Sequence, residues 1–75
     1  MDKRRLVNMK MVEEIRLKKE VYGGYCIEIH MMSGGIIPIH QSEIEPLQIV
    51  YNRLKEHLEL GSIVELVDGT TGYGD

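Results

Sequence analysis

Cys26, Glu28, His30 and His40 carry the most versatile chemistry in this chain, and they crowd into the stretch Tyr22 to His40, YGGYCIEIHMMSGGIIPIH. Thiolate, carboxylate and imidazole are the donors that zinc accepts. If the stretch folds as a hairpin, the four side chains share one face, with Glu28 directly opposite His40 and His30 on the diagonal. No CxxC or HxxxH spacing accompanies them. We therefore expect no resident metal or cofactor and read the face as polar surface meeting water, a ligand or a partner. Cys26, Glu28, His30 and His40 remain the weak candidates for a metal. Catalysis is less well supported. Cys26 and His30 are four apart on one strand, about 13 Å along its axis at about 3.3 Å per residue, too far for a nucleophile and its base. No G-x-S-x-G, HExxH, P-loop or GxGxxG pattern occurs. The expectation is a protein that is not an enzyme.

Glycine beside tyrosine is the other chemical signature, in Tyr22-Gly23-Gly24-Tyr25 and again in Gly72-Tyr73-Gly74. Glycine lets backbone N–H groups come close to an anion, and tyrosine offers a flat face for a base together with a hydroxyl. The same residues also make an ordinary hairpin turn with an aromatic cross-strand pair. A candidate ligand site then comprises Tyr22, Gly23, Gly24, Tyr25, Glu28, His30, His40 and Tyr73. His57 sits at the edge of a helical apolar stripe and reads as a boundary residue, and Cys26 as a semi-buried thiol.

The elements that position these groups follow from periodicity. From Val7 to Val21 the apolar residues fall mostly on odd numbers, a strand pattern that Val12 and Glu13 interrupt. One long strand, or two short ones with a bulge or bend near Glu13, fits this, with a helix as the competitor. A hairpin at Gly23-Gly24 leads into a strand over Cys26 to Met32, and a turn at Ser33-Gly34-Gly35 into a strand over Ile36 to His40. Pro38, which has no N–H, places that last strand at an edge. Matching apolar faces across the second turn selects a three-residue loop with Gly35 in the left-handed conformation, pairing Ile29 with Ile39 and Glu28 with His40. Across the first turn it selects an odd-length loop pairing Val21 with Ile27 and Leu17 with Met31. The inner face is then Ile15, Leu17, Val21, Ile27, Ile29, Met31, Ile37 and Ile39. The outer face gathers Arg16, Lys18, Glu20, Cys26, Glu28, His30 and His40.

Ser42-Glu43-Ile44-Glu45 reads as a capping box ahead of a helix with the stripe Leu47, Val50, Tyr51, Leu54 and Leu58, closed by Gly61. Residues 62–67 make a final strand. The expected fold is α+β: a small antiparallel meander of three strands plus a C-terminal strand, with one helix on its apolar face, in the order β-β-β-α-β. Residues 1–75 form a single domain, with a basic N-terminal arm over 1–5 and a flexible Gly-rich tail over 68–75.

Composition narrows the function. Seventy-five residues bury only about 60% of the unfolded chain's surface, and a single cysteine allows no internal disulfide. A metal or a partner subunit is the remaining support for so small a core. We expect a homo-oligomer, most simply a symmetric dimer, formed by sheet edges or around Met9, Met11 and Val12. The net charge is −3, with the basic residues concentrated in the N-terminal third. This makes nucleic acid an unlikely main partner, since that binding runs on clustered Lys and Arg. No apolar run approaches the roughly 18 residues of a membrane span and the stretch MDKRRLVNMKM lacks the apolar h-region of a signal peptide, so no membrane association is expected; with the unpaired thiol, this points to the cytoplasm. The function expected is a non-catalytic binding protein sequestering a small anionic, nucleotide-like metabolite. Its alternative is an interaction module or inhibitor that engages a larger host protein through its helix, a sheet edge or its acidic C-terminal half. In size and lack of motifs the chain resembles accessory proteins of phages and mobile elements, which implies roles of these kinds.

Overall fold

The structure is a computed structural model that describes residues 4–67, with side chains for residues 5–66. It contains β1 (Arg4–Asn8), a 3₁₀ turn (Met9–Met11), β2 (Val12–Lys19), β3 (Tyr25–Met31), β4 (Ile36–Gln41), α1 (Ile44–Leu60) and β5 (Ile63–Val67). The α+β fold is the one expected: an antiparallel three-stranded sheet in the order β2-β3-β4, one helix, and a C-terminal strand. That last strand does not join the meander. It pairs antiparallel with β1 as a separate two-stranded sheet, Val7 opposite Val64 and Asn8 opposite Ile63. Arg4 and Arg5, expected in a free arm, open β1 opposite Val67 and Leu66. The tail over 68–75, Tyr73 included, lies outside the described residues.

The odd-number periodicity of residues 7–21 is real strand, broken twice. Asn8 Oδ1 accepts the Lys10 N–H at 3.1 Å and so caps the 3₁₀ turn. Met9 N–H donates to Ser62 O at 2.9 Å, binding that turn to the start of β5. Just beyond, Val12 faces Met31 while Glu14 faces His30, so Glu13 is the extra residue of a bulge. The bend turns Val7 and Met9 toward the same core as Ile15. Met9 and Val12, expected in a subunit interface, are buried within the chain itself, and only Met11 of the three is exposed.

One continuous core joins both sheets to the helix: Val7, Met9, Val12, Ile15, Ile27, Ile29, Ile39, Leu47, Val50, Leu54, Val64 and Leu66. Leu47, Val50 and Leu54 are the buried stripe of α1, with Tyr51 and Leu58 partly covered beside it. Pro46 fits the first turn, where its missing N–H has no intrahelical acceptor to lose. The expected capping box does not form. Helix residues begin at Ile44, which makes Glu43 the N-cap, and no side chain bonds the free N–H groups. Ser42 is therefore one position too early to cap, and Glu45 acts only as a first-turn carboxylate favourable to the helix dipole. At the other end Gly61 adopts the left-handed conformation (φ 68°) and its N–H donates to His57 O at 2.8 Å, as expected of a C-terminal glycine. The helix is neither long nor apolar enough to cross a membrane.

Both turns have odd loops, but the pairing differs from the expected one. Ile29 faces Ile37 and Ile27 faces Ile39, two positions from the anticipated register; Leu17 faces Ile27 and Ile15 faces Ile29, four positions away. At the second turn Gly34 N–H donates to Met31 O and Met31 N–H to Gly35 O, so the loop is Met32-Ser33-Gly34. Gly34, not Gly35, takes the positive φ of 99°. At the first turn Glu20 N–H donates to Gly24 O, leaving Val21-Tyr22-Gly23 as the loop. Val21, assigned above to the inner face, stands 91% exposed at its tip. Shifts by an even number preserve which face each side chain occupies, so the rest of the inner face stands.

Candidate functional site

The outer face of the three-stranded sheet is a set of cross-strand rows. Along them lie Glu14-His30-Ile36, Arg16-Glu28-Pro38 and Lys18-Cys26-His40, read from β2 across β3 to β4. The hairpin end adds Glu20 opposite Gly24 through the Glu20 N–H to Gly24 O bond of 2.9 Å. Cys26, and not Glu28, is therefore the direct neighbour of His40, and Glu28 faces Pro38. The backbone alternation makes that contact close. Met31 bonds Gly35, so the hydrogen-bonded pairs are those on odd numbers of β3, and Cys26–His40 is a non-bonded pair, the kind with Cα atoms only about 4.5 Å apart. The same alternation points the missing N–H of Pro38 away from β3 to the open edge.

Cys26 has a short side chain, and beside it Glu20 from beyond β2 and His40 from β4 meet across the sheet. His40 Nδ1 lies 3.1 Å from Glu20 Oε1. Cys26 Sγ completes a group in which one donor atom from each of Glu20, Cys26 and His40 lies within 4.8 Å of the others. Cys26 is only 1% exposed although it belongs to the outer face. Burial pushes its thiol above the ordinary value of 9.0, and the neighbouring Glu20 carboxylate adds to the shift. Gly24 cannot be exchanged for a larger residue without cost: its φ is 81°, and a Cβ there would stand 2.8 Å from Gln41 O.

Glu28 and His30, expected in the same constellation, form a separate network one row away. Glu28 accepts from Lys18 Nζ at 2.9 Å and lies 3.1 Å from His30 Nε2. The Lys18 ammonium first, and then His30, hold the Glu28 carboxyl below the usual 4.5. Arg16 pairs along its own strand with Glu14 at 2.9 Å. Of these pairs only Lys18–Glu28 ties β2 to β3, and Lys18, though it stands opposite Cys26 in the next row, directs its ammonium to Glu28.

A shallow hollow of about 370 Å³ opens beside the Glu20–His40 contact, lined by Glu20, Gly23, Gly24, Tyr25, His40, Gln41 and Ser42. It brings together four of the eight anticipated ligand residues: Gly23, Gly24, Tyr25 and His40. It excludes Glu28 and His30. Tyr22 projects from the turn, fully exposed and away from Tyr25's position in β3, so the anticipated aromatic cross-strand pair is absent and Lys19 occupies the place opposite Tyr25. Tyr73 lies outside the described residues. Glu20, Gln41 and Ser42 were missed as site residues. Glu20 carried a signal, since alternation placed it on the outer face; Ser42 was read as the helix cap, and Gln41 carried none. His57 is half-buried, as its boundary position suggests, with Nδ1 3.0 Å from Ser62 Oγ, joining the end of α1 to the approach of β5.

Compared with known proteins, the chain gives no significant match to a family model, to a curated protein or to a solved structure.

Proposed function

We propose that this chain is a non-catalytic binding protein that takes a small nucleotide-like ligand in the hollow at the hairpin end of the sheet. The observation that carries this reading is the convergence of Gly23, Gly24, Tyr25 and His40 with Glu20, Gln41 and Ser42 around one concavity. Tyr25, half-buried against the core, forms part of the wall, and Gln41, Ser42 and Glu20 offer the donors and acceptors that read the edge of a base or a sugar. His40, whose Nδ1 lies 3.1 Å from the Glu20 carboxylate, adds an imidazole that can hydrogen-bond the ligand. The non-catalytic reading rests on Cys26. A buried thiol held in its protonated form is a poor nucleophile, even with an imidazole and a carboxylate close by.

Native mass spectrometry of the protein as purified, followed by calorimetric titration with nucleoside monophosphates and the matching nucleosides, tests the proposal. A co-purifying organic mass, and binding that Gln41→Ala weakens while circular dichroism stays that of the wild type, support it. A bare protein that binds none of these probes sinks it.

The outer face of the β1–β5 sheet favours a second, compatible reading in which the chain associates with another copy of itself. Leu6 and Ile63 lie on that face, 70% and 65% exposed. A chain of this size without a disulfide gains most from self-association. Light scattering should then give twice the chain mass at micromolar concentration, and Leu6→Lys should return the monomer. A wild-type monomer at that concentration would remove this second reading and leave the first intact.

A further inference from the structure

We infer that Glu20, Cys26 and His40 form a binding site for a divalent metal ion of the zinc class, with Cys26 Sγ, one imidazole nitrogen and one carboxylate oxygen as its protein ligands. The three donor atoms already lie within 4.8 Å of one another. Zinc bonds to nitrogen and oxygen of about 2.0–2.1 Å at a tetrahedral angle hold those two donors about 3.3 Å apart. His40 Nδ1 and Glu20 Oε1 stand at 3.1 Å, close to such an edge. Sulfur, nitrogen and oxygen together suit zinc rather than magnesium or calcium, which take oxygen alone.

The fold supplies the framework. Each ligand comes from a different part of the sheet: Glu20 beyond the end of β2, Cys26 from the middle strand, His40 from β4. Cys26 and His40 are held as a close, non-hydrogen-bonded cross-strand pair. The glycine at position 24 lets the backbone of Gln41, next to His40, approach closely: a Cβ there would stand 2.8 Å from Gln41 O. A bound dication would displace the thiol proton and balance the charges of the resulting thiolate and the carboxylate together. Three protein ligands leave one coordination position for water on the exposed His40 side. An ion held there needs no organic ligand in the adjoining hollow, so this site and the binding function proposed above can fail independently.

The test is a titration of chelator-treated protein with Co²⁺ and then Zn²⁺. Because Cys26 is the only cysteine, a thiolate-to-cobalt charge-transfer band can arise nowhere else in the chain. The band should saturate at one ion per chain and be bleached by Zn²⁺, and Glu20→Gln and His40→Asn should each weaken binding by about tenfold or more while circular dichroism stays that of the wild type. Both substitutions alter polar groups at the rim of the sheet, so the result does not depend on Cys26→Ser remaining folded. Absence of the charge-transfer band at saturating cobalt overturns the site. So does a band whose midpoint is unchanged in both variants, because the ion would then be held by a lone thiolate.

Discussion

Cys26 shows how strongly position controls a side chain's chemistry. On the outer face of a sheet a cysteine is ordinarily accessible, yet this one is covered, and burial pushes its thiol upward. Its alkylation by iodoacetamide should be slow in the native protein near neutral pH and accelerate when denaturant opens the sheet; rates equal under both conditions would contradict the burial. Glu28 behaves in the opposite sense. Lys18 and then His30 lower its folded value below 4.5, so the contribution of this network to stability is present above the ordinary carboxylate range and lost as pH falls through the lowered value. Urea unfolding of Glu28→Gln should show a deficit against wild type at neutral pH that shrinks on acidification and vanishes only below the lowered folded value, where the Glu28 carboxyl is protonated in both the folded and the unfolded chain. Lys18 is half-exposed, and solvent screening should keep the deficit small.

Among the elements, the two turns and the helix ends make the sharpest predictions. Gly24→Ala places a Cβ against Gln41 O in a backbone conformation that costs a non-glycine residue about 1–3 kcal/mol. Gly23→Ala meets nothing within 4 Å and carries the conformational cost alone. The first should therefore lower stability more than the second, measured by urea denaturation, and should disturb the Glu20–His40 contact as well. Ser42→Ala separates the observed helix start from the one the sequence suggests. Loss of a true N-cap costs about 1 kcal/mol; with Glu43 as N-cap and no side-chain bond in place, the change at Ser42 should cost clearly less.

At the scale of the whole molecule, stability depends on one small core shared by both sheets and the helix. Leu54 is fully buried on α1 and belongs to that core. Leu54→Ala should cost about 2–5 kcal/mol, a large share of the roughly 5–15 kcal/mol that keeps a domain folded, and thermal unfolding should register it as a lowered midpoint or as a chain that no longer folds at all. β5 contributes as a clasp. Val64 and Leu66 enter the common core, and the Met9 N–H to Ser62 O bond fastens the start of that strand to the 3₁₀ turn. A polar substitution such as Leu66→Asn should therefore destabilise the meander too, giving one cooperative transition rather than loss of the two-stranded sheet alone.

Much of the architecture was legible in the chain because it is local. The alternation Cys26-Ile27-Glu28-Ile29-His30 assigns faces without reference to any partner strand, and the stripe Leu47, Val50, Leu54 with Gly61 beyond it defines a helix and its end. Face matching also found odd loops at both turns. It could not find the register, because a slip by two or four residues leaves every side chain on the same face; only the turn hydrogen bonds at Glu20–Gly24 and Met31–Gly34 decide it. That slip is what exchanged Glu28 for Cys26 as the neighbour of His40, and so moved the candidate site. The pairing of β1 with β5 was equally out of reach, since it joins the two ends of the described chain through the packing of a common core. Residue types and periods thus determined which side chains share a face. Tertiary structure alone decided which of them touch, because contact across a sheet depends on register and periodicity does not contain it.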